Sequence, residues 1–193
     1  MDGLTMNDKH EYYFCGNRVP NVTSILESVG IVDYSMVKER HRQHGMEKGS
    51  NVHLACQYYN EGQLDWNTLP EEIEGYARSW DAICRTTGFE PLMNEFPYYS
   101  KRYGFAGTLD VMGLLNGRKV IMDYKSCAVP RWTELQTSAY SQLLLEYGVA
   151  VPERYGVELK SDGNIGKLSG PYTDINDFAV FASALGVYMW KNK

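Results

Sequence analysis

The apolar positions follow a helical period through most of the first half of the chain and an extended one through the middle, and the change of period divides it into elements. Residues 12 to 22 read as extended. Thr23 to Val29 reads as a short helix closed by Gly30, and Tyr34 to His44 as a second, capped by Asp33 and stopped by Gly45. Glu47 to Tyr59 is a third. Ile73, Tyr76, Ala77, Trp80 and Ile83 then share one face of a helix from Leu69 to Thr87, with Pro70 near its first turn and Gly88 at its end. Three extended runs follow, Leu92 to Ser100, Phe105 to Leu115 and Arg118 to Ser126, the last two joined by Asn116-Gly117, a strong hairpin signal. Thr133 to Tyr147 reads as a helix closed by Gly148. Two short strands, Tyr155 to Lys160 and Ile165 to Leu168, flank the turn-like Ser161-Asp162-Gly163-Asn164, and Asp174 caps a last helix to about Trp190. This order predicts an α/β fold of the α+β kind, a central mixed sheet flanked by helices.

The size and composition, 193 residues with 44% apolar and 22% charged, fit one globular domain over 1–193, with a helical part from about 20 to 88 and a sheet-bearing core from about 89 to 193. The formal charge of −5 excludes a surface coated in basic groups and leaves room for a local patch. The most basic stretch, Lys38 to Lys48, holds Lys38, Arg40, Arg42 and Lys48 against Glu39 and Glu47; a solvated helix face is the plain alternative. Cys15, Cys56, Cys84 and Cys127 are scattered, which suggests free thiols in a reducing cytosol and neither zinc nor an iron–sulfur cluster. No window reaches the ~18 consecutive apolar residues of a membrane span, and the first thirty residues lack the pattern of a signal peptide.

If Asn116-Gly117 forms the centre of a tight turn, Leu115 faces Arg118 and the same pairing carries Asp110 opposite Asp123. Opposed side chains leave the same face with Cβ atoms about 5 Å apart, and like charges so placed need compensation. Lys125, two residues further on, shares that face. The rest of both strands is apolar on both sides, as in strands covered by helices on each face, where an uncompensated charge costs several kcal/mol. A divalent cation compensates the pair, and two carboxylates suit Mg²⁺ or Mn²⁺. The alternative is a salt bridge of Lys125 with the aspartates near a wet sheet end.

Chained together, several segments resemble the PD-(D/E)XK nucleases, in particular the RecB-like branch with the mitochondrial genome maintenance exonuclease and many phage-encoded exonucleases. Val19-Pro20-Asn21-Val22-Thr23 is similar to that branch's opening PSVT, with Asn21 for serine, and Gly49-Ser50-Asn51-Val52-His53 resembles its GxxxH. Asn94-Glu95-Phe96-Pro97, Gly107-Thr108-Leu109-Asp110, Asp123-Tyr124-Lys125 and Gln136 with Tyr140 follow in the branch's order.

The resemblance implies a restriction-endonuclease-like core, with His53, Asp110 and Asp123 as metal ligands, Glu95 aiding them and the backbone carbonyl of Tyr124 a further ligand. It makes Lys125 the catalytic lysine, and gives Gln136 and Tyr140, as QxxxY, the role of supporting the site and contacting the strand. The expected activity is a Mg²⁺- or Mn²⁺-dependent DNA exonuclease acting on single-stranded or linear ends, in recombination, repair or replication, in the cytoplasm of a bacterial or phage-infected cell. The four cysteines do not match the branch's iron–sulfur members. A GxxxxGK[ST] phosphate loop is also missing, so a helicase or an annealing protein would be a separate partner. The rivals are a structure-specific endonuclease of the same superfamily and a non-catalytic nuclease-fold subunit.

Bland readings stand beside these. His53 alone could be a packed histidine, Glu95 could pair with Lys101 or Arg102, and Thr133-x-x-Gln136 is also a capping box. Arg131 and Trp132 could bind phosphate and stack a base, or form an ordinary loop. Arg40 and Arg42 are expected to grip the DNA backbone if their helix leads directly to His53. Tyr12-Tyr13, Tyr58-Tyr59 and Tyr98-Tyr99 are candidates for a stacking channel, with half-buried packing as the alternative.

Overall fold

A computed structural model describes residues 3–7, 10–33, 35 and 39–193. It begins with a three-stranded antiparallel meander, β1 (Leu4–Met6), β2 (Tyr12–Phe14) and β3 (Asn17–Val19), followed by the short helix α1 (Val22–Ser28). The extended stretch expected from residue 12 is thus two strands. They turn at Cys15-Gly16, where both residues take left-handed φ values of 49° and 80°. Asn21 caps α1 by accepting from the Ser24 amide at 2.8 Å, while the Ser24 hydroxyl accepts from the Asn21 amide.

The two helices expected on either side of Gly45 are one, α2 (Glu39–Asn60). An interior glycine costs a helix only about 1 kcal/mol relative to alanine, and Gly45 faces open space with nothing to pack against, so the hydrogen-bonded run continues through it. Tyr34 and Lys38, at the expected start of the earlier helix, lie outside the described residues. Helix α3 (Glu71–Thr87) opens after Pro70 with Glu71, Glu72 and Glu74 in its first turn, and ends at Gly88 in the left-handed conformation.

The main sheet has five strands in sequence order: β4 (Glu90–Tyr99), β5 (Ala106–Leu115), β6 (Arg118–Lys125), β7 (Glu153–Glu158) and β8 (Lys167–Tyr172). Only β6 and β7 are parallel, and α4 (Thr133–Glu146) makes the crossover between them. Helix α5 (Asn176–Lys191) closes the chain. Asn116 and Gly117 form the predicted turn with φ of 52° and 73°, and Leu115 pairs with Arg118. The last two strands begin and end at other residues than expected, and β8 runs on through Pro171 to Tyr172 because a proline, which cannot donate to a ladder, is tolerated in an edge strand.

The protein is therefore α+β, with helices on both faces of a mixed sheet. On one face Ile25, Leu26, Leu143, Leu144 and Phe181, from α1, α4 and α5, pack over Leu109 and Ile121. On the other, Ile73, Trp80 and Ile83 of α3 and Val52 of α2 cover Val111, Val120, Met122 and Tyr124. The period of two along β6 separates Val120, Met122 and Tyr124 from Ile121, Asp123 and Lys125. No helix among the described residues is long and apolar enough to cross a membrane.

Candidate metal centre

Strand β5 lies between β4 and β6, and its register sets the chemistry of the fold. Asn94 faces Val111 and Phe96 faces Leu109, which leaves Glu95 opposite Asp110. Glu95 adopts φ 40°, a left-handed value inside a strand that costs a non-glycine residue about 1–3 kcal/mol and re-aims its side chain. On the other side the β5–β6 ladder runs to Val111 opposite Met122. One step further the Tyr124 amide donates to Asp110 Oδ2 at 2.6 Å, so a carboxylate takes the place of a ladder carbonyl.

His53 arrives from α2. Its Nδ1 is 3.3 Å from both Glu95 Oε1 and Asp110 Oδ1, and its ring meets the Tyr124 ring edge-on at 5.6 Å. One ligand atom from each of His53, Glu95 and Asp110 falls within 4.8 Å of the other two. Asp123, buried beside them, is ion-paired with Lys125.

The titration pattern is that of buried carboxylates crowded around two cationic groups. Burial raises Glu95, against the opposing pull of His53. Burial also pushes Asp123 up to about 6, with Lys125 opposing and Asp110 adding repulsion. Burial acts the same way on Asp110, but His53, Lys125 and the Tyr124 amide outweigh it and hold that carboxyl below its ordinary value. For His53 burial disfavours the charged form, yet Asp110 and Glu95 override it and raise the imidazole well above its usual range. Asp123 Oδ1 is buried without a hydrogen-bond donor among the described residues, and Glu95 Oε1 is buried with the His53 imidazole 3.3 Å away. An imidazole nitrogen and several buried carboxylate oxygens together fit a divalent cation.

Lys125 leads away from this cluster. Its ammonium donates to Gln136 Oε1 at 3.0 Å, Gln136 Nε2 donates to the Tyr140 hydroxyl at 3.0 Å, and the Trp132 ring lies 4.9 Å from the ammonium. The capping box expected at Thr133-x-x-Gln136 does not form. Trp132 is the N-cap residue without a side-chain bond, the Thr133 hydroxyl has no partner among the described residues, and the Gln136 amide is committed to Lys125 and Tyr140. Tyr140 fits because residue 107 is glycine: a Cβ there would stand 2.9 Å from its ring and 3.0 Å from Val22.

The residues expected to touch a strand are more dispersed. Arg131 is exposed beside Trp132. Arg42 and Arg40 stand about 16 and 20 Å from His53 along α2, so they do not reach the carboxylates. Arg42 pairs with Glu27 at 3.3 Å, Arg40 is exposed, and Lys48 donates to the Tyr76 hydroxyl at 3.3 Å. Four of the six paired tyrosines serve packing: Tyr12 is buried and bonds Thr108, Tyr59 donates to Asp81, Tyr98 packs on Tyr147 and Tyr99 stacks on Phe14. Asn60 stands out in the structure but not in the sequence, where it belongs to no spaced pattern. Comparison with protein-family models and with curated proteins finds no match.

Proposed function

We propose that this protein is a Mg²⁺- or Mn²⁺-dependent deoxyribonuclease with a restriction-endonuclease-like core, acting as an exonuclease on single-stranded or linear DNA. The observation that supports it best is the convergence of His53, Glu95 and Asp110 beside an ion-paired Asp123 and Lys125 at the centre of a sheet. In this reading His53, Glu95 and Asp110 hold the cation, with Asp123 and the Tyr124 carbonyl completing the set as the family resemblance implies. The bound cation supplies Lewis acidity toward a phosphodiester oxygen and toward water.

The protein's own groups supply the rest. Lys125 brings a positive charge to the place where negative charge develops on the phosphorane, and its ammonium can hold the attacking water in line. Gln136 and Trp132 keep that ammonium from swinging away, and Tyr140 anchors Gln136 to the core. Arg131, exposed at the start of α4, is placed to meet a backbone phosphate. A recombination or annealing protein, or a helicase, would present the DNA end.

The test is digestion of end-labelled single-stranded, linear duplex and closed-circular DNA with Mg²⁺, Mn²⁺ or chelator. Loss of linear substrates alone, in a metal-dependent way, is the expected result. Cutting of closed circles makes the protein an endonuclease, and no cleavage with either metal makes it a binding subunit.

A further inference from the structure

Asn60 stands seven residues after His53, two helical turns and about 10 Å along the same face of α2. Its side-chain amide is bonded to three different elements. Nδ2 donates to Asn94 Oδ1 at 2.7 Å and to the Tyr124 hydroxyl at 3.0 Å, and Oδ1 accepts from Trp80 Nε1 at 2.7 Å. Each partner is tied to the candidate centre. Asn94 precedes Glu95 on β4. Tyr124 lies between Asp123 and Lys125 on β6, and its amide holds Asp110. Trp80 is fully buried on α3, and its ring meets Tyr124 at 4.8 Å.

The Tyr124 side chain is thus gripped twice by one stripe of α2, through the His53 ring and through the Asn60 amide. A carboxylate of the same size offers no donor and an aliphatic chain offers neither donor nor acceptor, while glutamine carries its amide one methylene further out. The bonding geometry therefore needs asparagine. Fixing α2 against β4 and β6 at this point fixes where His53 sits over Glu95 and Asp110.

We infer that Asn60 is a positioning residue for the metal centre, seating the His53 imidazole at the distance from Glu95 and Asp110 that a cation requires. The inference rests on reading His53, Glu95 and Asp110 as a cation site. Groups bonded directly to a histidine ligand typically change metal affinity 10- to 100-fold when removed, and Asn60 acts one contact further out, through Tyr124, so the low end of that range applies.

The experiment measures Mn²⁺ affinity by calorimetry, and the coupling of an imidazole nitrogen to bound Mn²⁺ by pulsed electron paramagnetic resonance, in the full chain. Asn60→Ala is expected to weaken Mn²⁺ about tenfold or more and to diminish the nitrogen coupling. Tyr124→Phe, which deletes one of the three bonds and keeps the ring, moves both readings the same way by less and serves if the alanine variant does not fold. Tyr59→Phe is the control: it removes the 2.6 Å bond to Asp81 that also joins α2 to α3, so it lowers melting temperature and leaves both Mn²⁺ readings unchanged. If Asn60→Ala and Tyr124→Phe alter Mn²⁺ binding no more than Tyr59→Phe does, Asn60 is only structural and the inference is overturned. A wild-type chain that binds no Mn²⁺ overturns the cation site itself and the inference with it.

Discussion

The Tyr124 amide donates to Asp110 Oδ2 at 2.6 Å, so one carboxylate both replaces a rung between β5 and β6 and faces His53 across the site. The two duties can be separated. Asparagine at this position keeps an oxygen for the amide but carries no charge.

Asp110→Asn is therefore expected to fold and to lose catalysis. Its far-ultraviolet circular dichroism should match the wild type, while metal-dependent DNA cleavage falls by at least about 100-fold, the upper end of what losing a mere supporting contact costs. Cleavage within threefold of the wild type would remove Asp110 from the centre.

Lys125 has the opposite profile. Removing its ammonium leaves Asp123 without its cationic partner and makes the cluster more negative, so divalent cations bind as tightly as before or more tightly. Lys125→Ala should cut the single-turnover cleavage rate by about 100- to 1,000-fold, the scale for losing one charge-stabilising donor, while Mn²⁺ affinity measured by calorimetry holds or rises. Weakened Mn²⁺ binding would show that Lys125 organises the ligands instead.

Asp123 gives a pH signature in metal-free protein. Its carboxyl is pushed up to about 6 by burial, against about 3.9 when unfolded, so between those values the folded state binds more protons than the unfolded one. Its contribution to stability falls as pH rises through that window. Asp123→Asn removes the penalty, so in chelator the variant's melting temperature should gain on the wild type from pH 4 to 6 and keep the advantage at pH 7. Excess Mn²⁺, which favours the ionised carboxylate, should reverse the difference at pH 7. A gap that is flat across this range would mean that Asp123 is not raised.

Gly107 tests the packing beneath Lys125. A methyl group there lies 2.9 Å from Tyr140 and 3.0 Å from Val22, so Gly107→Ala should destabilise by about 1–3 kcal/mol, read as a lowered midpoint in urea. Because Tyr140 anchors Gln136, and Gln136 accepts from Lys125, cleavage should fall along with stability. Unchanged stability would show that the Tyr140 ring is free to move aside.

Much of this arrangement is legible before folding because a two-residue turn dictates register. Asn116-Gly117 sets Leu115 against Arg118, and the alternation of apolar residues then places Asp123 and Lys125 together on one side of β6. Glu95 is different: nothing in Asn94-Glu95-Phe96-Pro97 announces a left-handed residue within a strand, and the flanking pairs Asn94–Val111 and Phe96–Leu109 keep their register around it. β1 is three residues long and too short to show a period. Asn60 is invisible for a related reason, because its three partners lie 20, 34 and 64 residues away in sequence. At Gly45 the local preference of glycine against helix, about 1 kcal/mol, is outweighed by the rest of a long helix.

The unbroken course of α2 through Gly45 makes it a rod about 33 Å long, with Arg40 and Arg42 near its start and His53 about two-thirds of the way along. A hinge between them would let the basic end move freely while the ligand stayed still. With no such joint, a tilt of a few degrees imposed at Arg42 arrives at the imidazole as a displacement. The protein thus carries one unbroken helix from an outer segment that holds Arg40 and Arg42 to the histidine that reaches the carboxylates of its sheet.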